Sequence, residues 1–291
     1  MNGILVIDKP RDWTSHDVVG KLRGLLHTRR IGHAGTLDPM ATGVLPVFVG
    51  RATRAVEFCE GDDKEYLARL RLGVVTDTQD VTGTVLRDAG DPGLSAADVT
   101  AVLPRFTGDL LQVPPMYSAV KVNGQRLYAL ARKGREVARA PRPVTVRVLE
   151  LLGADGRDFD LRVVCSKGTY VRTLCADLGE ALGCGGTLAA LRRTRAGRFT
   201  LDGAVTPEAV AAAAERGEAE RLLAPVDTLF ADLPAFAADA RGERAARTGT
   251  PFAADVPDGR YRVYAPDGAF LLLGRAEAGR MRTVKSFFEV D

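Results

Sequence analysis

One carboxylate and one imidazole stand in the stretch GHAGTLDPMATGVLPVFVG, residues 32–50: Asp38 and His33. A carboxylate can act as a nucleophile or as a base. Glycines at 32, 35, 43 and 50 and prolines at 39 and 46 exclude a regular helix here. Pro39 pushes Asp38 towards extended or turn geometry. Asp38 is therefore expected on a stiff loop before the apolar run Val44 to Val49, either as a functional group or as an exposed turn residue. Two further segments offer partners. In CSKGTYVRTLCADLGEALG, residues 165–183, the spacing turns helical from Thr173, with Leu174, Leu178 and Leu182 in register. Tyr170 and Arg172 thus sit at a strand-to-helix junction, and an arginine can grip a carboxylate through two parallel hydrogen bonds. In EYLARLRL, residues 65–72, strict alternation puts Tyr66, Ala68, Leu70 and Leu72 on one face. Tyr66 is an inward aromatic.

The elements that must hold these groups are legible in outline. GILVID, residues 3–8, reads as a buried strand ending at Lys9-Pro10. Thr14 or Ser15 can cap the following helix, whose apolar face is Val18, Leu22, Leu25 and Leu26. Ser15, His16 and Asp17 are consecutive and point different ways on a helix, so they are no triad. TDTQDVTG, residues 76–83, is an acidic turn without the spacing of a calcium loop. Ser95 can cap a helix carrying Val99 and Leu103, broken near Pro104. Residues 112–134 predict an extended Pro114-Pro115 entry, a hairpin corner at Asn123-Gly124 and a short helix ended by Gly134. Residues 144–152 and 158–165 read as strands joined by the turn Gly153 to Gly156. Thr206-Pro207 opens a peripheral acidic helix. After Pro234 come a short helix over 239–248 and then three or four short strands within residues 260–290.

The chain has 291 residues, 46% hydrophobic and 26% charged, enough for one large and one small domain. Its apolar runs are too short to cross a bilayer as a helix. The start, MNGILVIDKP, lacks the apolar core of a signal peptide, so a cytoplasmic location without membrane attachment is expected. Cysteines 59, 165, 175 and 184 form no CxxC pair, and with three histidines no zinc template fits. They are expected as reduced, mostly buried thiols. The net charge is +3, but residues 121–147 hold eight Lys and Arg against one acid. Arg192, Arg193, Arg195 and Arg198 form a second cluster, whereas residues 202–240 hold eight acids and two basic residues. Such segregation suits a polyanion bound on one face. Tyr117, Lys121, Arg126 and Tyr128 interleave rings and cations, a mixture able to stack bases and hold phosphates.

Taken together, DKPRDWTSHD (8–17), GHAGTLDPMATGVLPVFVG (32–50), EYLARLRLGVVTDTQDVTG (65–83), QVPPMYSAVKVNGQRLYALARKG (112–134) and CSKGTYVRTLCADLGEALGCGGTLAALRRTRAGRF (165–199) resemble, in order and spacing, the TruB family of tRNA pseudouridine-55 synthases. The resemblance implies an α+β fold with a mixed, mostly antiparallel sheet, flanking helices and a cleft across the sheet. It places a catalytic domain at 1–232 and a small β-rich PUA-like RNA-binding domain at 233–291. It implies isomerisation of one uridine in the T loop of tRNA to pseudouridine, with no metal or redox cofactor. By that match Asp38 is the catalytic carboxylate, Arg172 its cationic partner and Tyr66 the aromatic that stacks on the target base. Tyr170 and Leu191 line the pocket, and Lys9 and Pro10 buttress the catalytic loop. His33 occupies the space of the flipped base. Lys121, Arg126, Arg192 and Arg193 are then expected to meet RNA phosphates.

Two departures stand out. Asp12 occupies the usual glycine position of the DKPxGxTS turn. GCGGT, residues 183–187, follows a helix, so it is no phosphate loop. The chain is expected to work as a monomer without an obligatory protein partner. An RNA-folding role and an RNA-guided relative are the competing readings. The absence of long basic extensions argues against the second.

Overall fold

The computed structural model describes residues 1–59, 61–122 and 124–289. The strands are, in order, β1 (Gly3–Lys9), β2 (Ile31–His33), β3 (Thr42–Val49), β4 (Lys64–Leu72), β5 (Val74–Thr76), β6 (Val85–Asp88), β7 (Gly108–Gln112), β8 (Lys121–Val122) and β9 (Gln125–Arg126). They continue with β10 (Arg142–Asp155), β11 (Asp158–Cys165), β12 (Gly186–Ala196), β13 (Phe199–Thr200), β14 (Ala235–Ala237), β15 (Phe252–Ala253), β16 (Gly259–Tyr264), β17 (Phe270–Glu277) and β18 (Arg280–Ser286). The helices are α1 (Ser15–Leu25), α2 (Ala96–Val102), α3 (Leu127–Ala131), α4 (Val171–Ala181), α5 (Pro207–Glu215) and α6 (Ala240–Arg247).

Among the described residues nine strands form one sheet, in the order β1-β3-β12-β4-β11-β10-β7 with β2 and β13 attached at β3 and β12. All pairs are antiparallel except β3–β12. A second sheet runs β14-β16-β17-β18-β15. The α+β reading therefore stands, with the larger sheet mostly antiparallel.

Helix α1 starts where Thr14 accepts from the Asp17 amide while Asp17 returns a bond to the Thr14 amide, a reciprocal cap. Its Val18 and Leu22 pack with Leu5, Ile7, Leu45 and Val47 of β1 and β3 and with Val210 of α5. Each such side chain contributes roughly 1.5–3 kcal/mol of burial free energy. Helices α2 and α4 cover β4, β10, β11 and β12 through Val99, Val102, Leu174, Leu178, Leu70, Phe159 and Leu161.

Strand β1 is buried, as read, although it ends the sheet, because the backbones of Val205 and Ala224 bond along its free edge. Other expectations need correction. The expected turn at 153–156 starts later, since β10 runs on to Asp155. The tail stretch expected to hold three or four strands holds three, β16 to β18, and the short β14 and β15 before it, which the sequence reading missed, complete the second sheet. Strand β12 lies at the centre of the sheet, yet its sequence, GTLAALRRTRA, shows no clean alternation. Asn123, the expected hairpin corner between β8 and β9, lies outside the described residues; Gly124 beside it is left-handed. Cys59, Cys165 and Cys175 are buried free thiols, and burial pushes them up to about 12, 11 and 12.

Candidate active site

The loop from Ala34 to Ala41 is fixed at alternate residues. Arg193 donates to the Gly35 carbonyl at 3.0 Å. The Ser15 hydroxyl accepts from the Leu37 amide at 2.9 Å. The Pro39 carbonyl accepts from Lys9 Nζ at 3.2 Å and from the Asp12 amide at 2.8 Å. Asp38 lies inside this frame, with its main chain held on both sides. Lys9 Nζ also donates to the Pro10 and Trp13 carbonyls at 2.8 and 2.6 Å, so it ties the β1–α1 turn to the loop. Burial lowers the Lys9 pKa to about 8. Lys9 is a buried brace and makes no substrate surface. Asp12 has φ +65°, the left-handed conformation that glycine adopts freely. The aspartate therefore keeps the turn that a glycine would make.

Arg172, the second residue of α4, brings this loop together with two others. Its Nε donates to Asp38 Oδ2 at 2.8 Å and its Nη2 to Asp38 Oδ1 at 3.2 Å. Nη1 donates to the Thr78 carbonyl and Nη2 to the Tyr117 carbonyl, both at 2.9 Å. Nε also lies 3.8 Å from Asp80 Oδ2. The Arg172 side chain is 4% exposed and that of Asp38 38%. The guanidinium is thus an interior anchor, and the carboxylate faces open space. A buried cation gripped by two carboxylates and two carbonyls satisfies the demand that interior charge be paired.

Tyr66 is buried on β4, opposite Arg193 of β12 and Val163 of β11. It packs in one cluster with Leu37, Met40, Ala68, Val171 and Leu191. Burial raises the Tyr66 phenol above its usual range, and the adjacent Arg193 guanidinium opposes that shift. Tyr170 caps α4 without a side-chain bond; Gln112 instead accepts from its amide at 2.7 Å and donates to its carbonyl at 3.0 Å. Leu191 thus shares a cluster with Tyr66 and Leu37, and Tyr170 stands two residues before Arg172 at the start of α4.

His33 is half-buried on β2, its ring edge-on to His16 with centroids 5.7 Å apart. Among the described residues its Nδ1, which is buried, has no hydrogen-bond partner. Burial lowers its pKa to about 4, helped by His16 and Arg193. The ring is neutral at physiological pH.

Of the expected phosphate contacts, Lys121 and Arg126 lie exposed on the β8–β9 hairpin. Arg192 is half-exposed and pairs with Asp8 at 2.8 Å. Arg193 is misplaced by the sequence reading. It is 1% exposed, donates to the carbonyls of Val44 and Gly35, and meets no phosphate surface. Neighbouring residues on a strand leave opposite faces, so Arg192 goes out and Arg193 goes in. Sequence reasoning missed Asp80, Gln112 and the loop-holding role of Ser15. Only Asp80 leaves a local signal. In TDTQDVT, residues 76–82, its Oδ1 accepts from the Thr78 and Thr82 hydroxyls, an aspartate held by flanking threonines. Among the described residues no group of three or more His, Cys, Asp or Glu side chains is placed to hold a metal ion.

Comparison with known proteins accords with this arrangement. Residues 23–171 match the family model described as TruB family pseudouridylate synthase (N terminal domain). Residues 172–231 match the model described as tRNA pseudouridylate synthase B C-terminal domain. The tRNA pseudouridine synthase B of Aromatoleum aromaticum is 46% identical over 278 residues, 95% of this chain and 89% of that protein. The protein of that name from an Arthrobacter species is 43% identical, over 96% of this chain and 94% of that one. Among solved structures, an H/ACA ribonucleoprotein bound to a substrate RNA containing 2′-deoxyuridine matches with TM-score 0.70 and 25% identity, over 99% of this chain and 86% of that one. An archaeal box H/ACA complex of Nop10 and Cbf5 matches with TM-score 0.71 and 27% identity, over 99% and 87%. With its sequence matched from residue 23 to 231 and 95–96% of its length shared with relatives 43–46% identical, the chain belongs to the TruB family of pseudouridylate synthases.

Proposed function

We propose that the protein converts a uridine of tRNA to pseudouridine, at position 55 in the T loop, with Asp38 as the catalytic residue. The observation that carries the assignment of the site is the two-pronged Arg172–Asp38 pair, in which a buried cation presents a partly exposed carboxylate. In the reaction the C1′–N1 bond breaks and a C1′–C5 bond forms. C5 loses its proton and N1 gains one, so the product is an isomer and nothing else is consumed. Asp38 serves by attack at C1′ or at C6, or by removal of a sugar proton; each route needs a carboxylate held at a fixed place, which the frame of Arg193, Ser15, Lys9 and Asp12 supplies. Flipping the base out of the T loop costs a few kcal/mol of stacking. Tyr66 and Leu191 offer the base a new apolar bed, and the neutral His33 ring offers to fill the vacated stack. Lys121, Arg126 and Arg192 hold phosphates.

In this reading residues 1–232 are the catalytic domain and 233–291 a PUA-like RNA-binding domain. The protein acts as a monomer in the cytoplasm. Purified protein incubated with an unmodified tRNA transcript is expected to yield pseudouridine at the T-loop position only, and Asp38→Asn to yield none while still binding. Tight binding by the wild type without product would refute the reading. The likeness to H/ACA structures favours a second reading, action directed by a guide RNA. Turnover of tRNA with no other RNA or protein present excludes it.

A further inference from the structure

The second sheet carries a row of like charges. Arg260 of β16 stands directly opposite Arg275 of β17, and Arg275 directly opposite Arg282 of β18. All three are exposed. Their partners in the pairs on either side, Tyr261, Gly274, Ala276 and Met281, are buried, so the three guanidinium groups share the outward face. Adjacent strands lie about 4.8 Å apart, which sets the Cα atoms of the three arginines within roughly 10 Å along the row. Like charges directly opposite one another weaken a sheet. Among the described residues no carboxylate lies within the 4.0 Å of an ion pair to any of the three. Glu277, two residues after Arg275 on β17, stands opposite Arg280, two pairs further along.

The row adjoins the junction with the larger sheet. Leu273, two residues before Arg275 and on the same side of β17, packs in the cluster that holds Phe58 and Phe230. Lys285, opposite Leu273, pairs with Glu57, and Arg54 donates to Ser286 at 2.8 Å. The same face is thus in contact with the body that carries Asp38 and, about 7 Å further along the strand, open to solvent as arginine.

We propose that Arg260, Arg275 and Arg282 form a phosphate-binding stripe that grips the backbone of the bound tRNA. The proposal rests on the tRNA reading of the active site. A guanidinium fork matches a phosphate through two hydrogen bonds, and neutralisation by phosphate removes the repulsion that the empty row carries. The stripe adds affinity without sequence preference, because backbone contacts carry no base information.

The test is the triple variant Arg260→Gln/Arg275→Gln/Arg282→Gln, compared with the wild type and with a charge-matched control, Arg216→Gln/Arg221→Gln/Arg241→Gln. Each is titrated with tRNA transcript across a range of salt, and pseudouridine formation is followed in a single turnover at saturating tRNA. The stripe variant is expected to bind on the order of tenfold more weakly near 0.1 M salt, with the slope of log K against log salt reduced by about two to three. Its saturated rate and its fold should equal those of the wild type, and its melting temperature at low salt should be equal or higher. The control should bind as the wild type does. Wild-type affinity and slope in the stripe variant, or an equal loss in the control, would overturn the stripe. A wild-type protein that binds tRNA but forms no pseudouridine would instead sink the active-site reading, leaving the binding comparison to decide the stripe.

Discussion

Arg172 spends four N–H bonds on acceptors in three separate segments, and this decides how it responds to change. Lysine keeps the charge but is a point donor on a flexible stem. Arg172→Lys is expected to lower the single-turnover rate on the order of a hundredfold, since a misplacement of about 1 Å at the chemistry has that effect. Affinity for tRNA should stay within about twofold. Rapid-quench kinetics beside filter binding checks both, and near-full activity would remove the ion pair from the mechanism. His33 gives a pH signature. Its folded pKa of about 4 lies below the ordinary histidine value, so between about pH 6.5 and 4 the unfolded chain takes up a proton that the folded one refuses. The neutral ring's contribution to stability is complete above that window and is lost as the pH falls through it. Melting temperature against pH should therefore fall less steeply for His33→Asn than for the wild type between those limits; parallel curves would show that the ring carries no such linkage. The junction position of Arg172 is legible in the sequence because strand and helix periods change there. Its grip on residue 38, 134 positions earlier, is a tertiary fact that no local pattern carries.

At the scale of elements, the frame around the loop of Asp38 depends on two backbone positions of opposite character. Asp12 tolerates the left-handed region at a cost of roughly 1 kcal/mol relative to glycine. Asp12→Gly should be neutral or up to about 1 kcal/mol more stable in urea unfolding, with activity retained, because the Asp12 amide that bonds Pro39 is backbone. Gly43 is the converse. Its φ is +102°, and a Cβ there would lie 2.1 Å from the Arg193 carbonyl oxygen, where β3 runs beside β12. Gly43→Ala should destabilise by about 3 kcal/mol or more and lower activity as well, since the displaced strand carries the arginine that holds Gly35 and touches Tyr66. Wild-type stability in that variant would show that the two strands can separate without harm. The helices and β4 are legible because caps and clean periods mark them. Strand β12 is not, for two physical reasons. Its pairing with β4 slips between Leu188 and Ala190 and again between Arg193 and Arg195, and each bulge shifts which residues face inward. It also buries an arginine, which pattern reading assigns to the surface.

At the scale of the whole molecule, the question is whether the tail is an appendage or part of the body. Composition and turn signals make its strands legible, but they leave its attachment unread. The attachment is an aromatic cluster. Phe270 stacks on Phe287 with centroids 5.4 Å apart, Phe230 meets both, and Phe58 meets Phe230 edge-on at 5.2 Å. Phe287 is 1% exposed, and its carbonyl accepts from Asn2 beside β1. Contacts of this type and burial resemble a continuous core more than a hinge between independent domains. Truncating a buried phenylalanine costs about 3–5 kcal/mol, part transfer and part cavity. Phe287→Ala should therefore lower the melting temperature by roughly 10 °C for a chain of this size. The unfolding transition should remain single, because the cluster joins the two sheets and neither can lose it without exposing Phe58 and Phe230. Calorimetry separates the alternatives. A second transition in the variant, with the larger sheet melting where it does in the wild type, would show two bodies folding apart and would make the tail a dispensable domain.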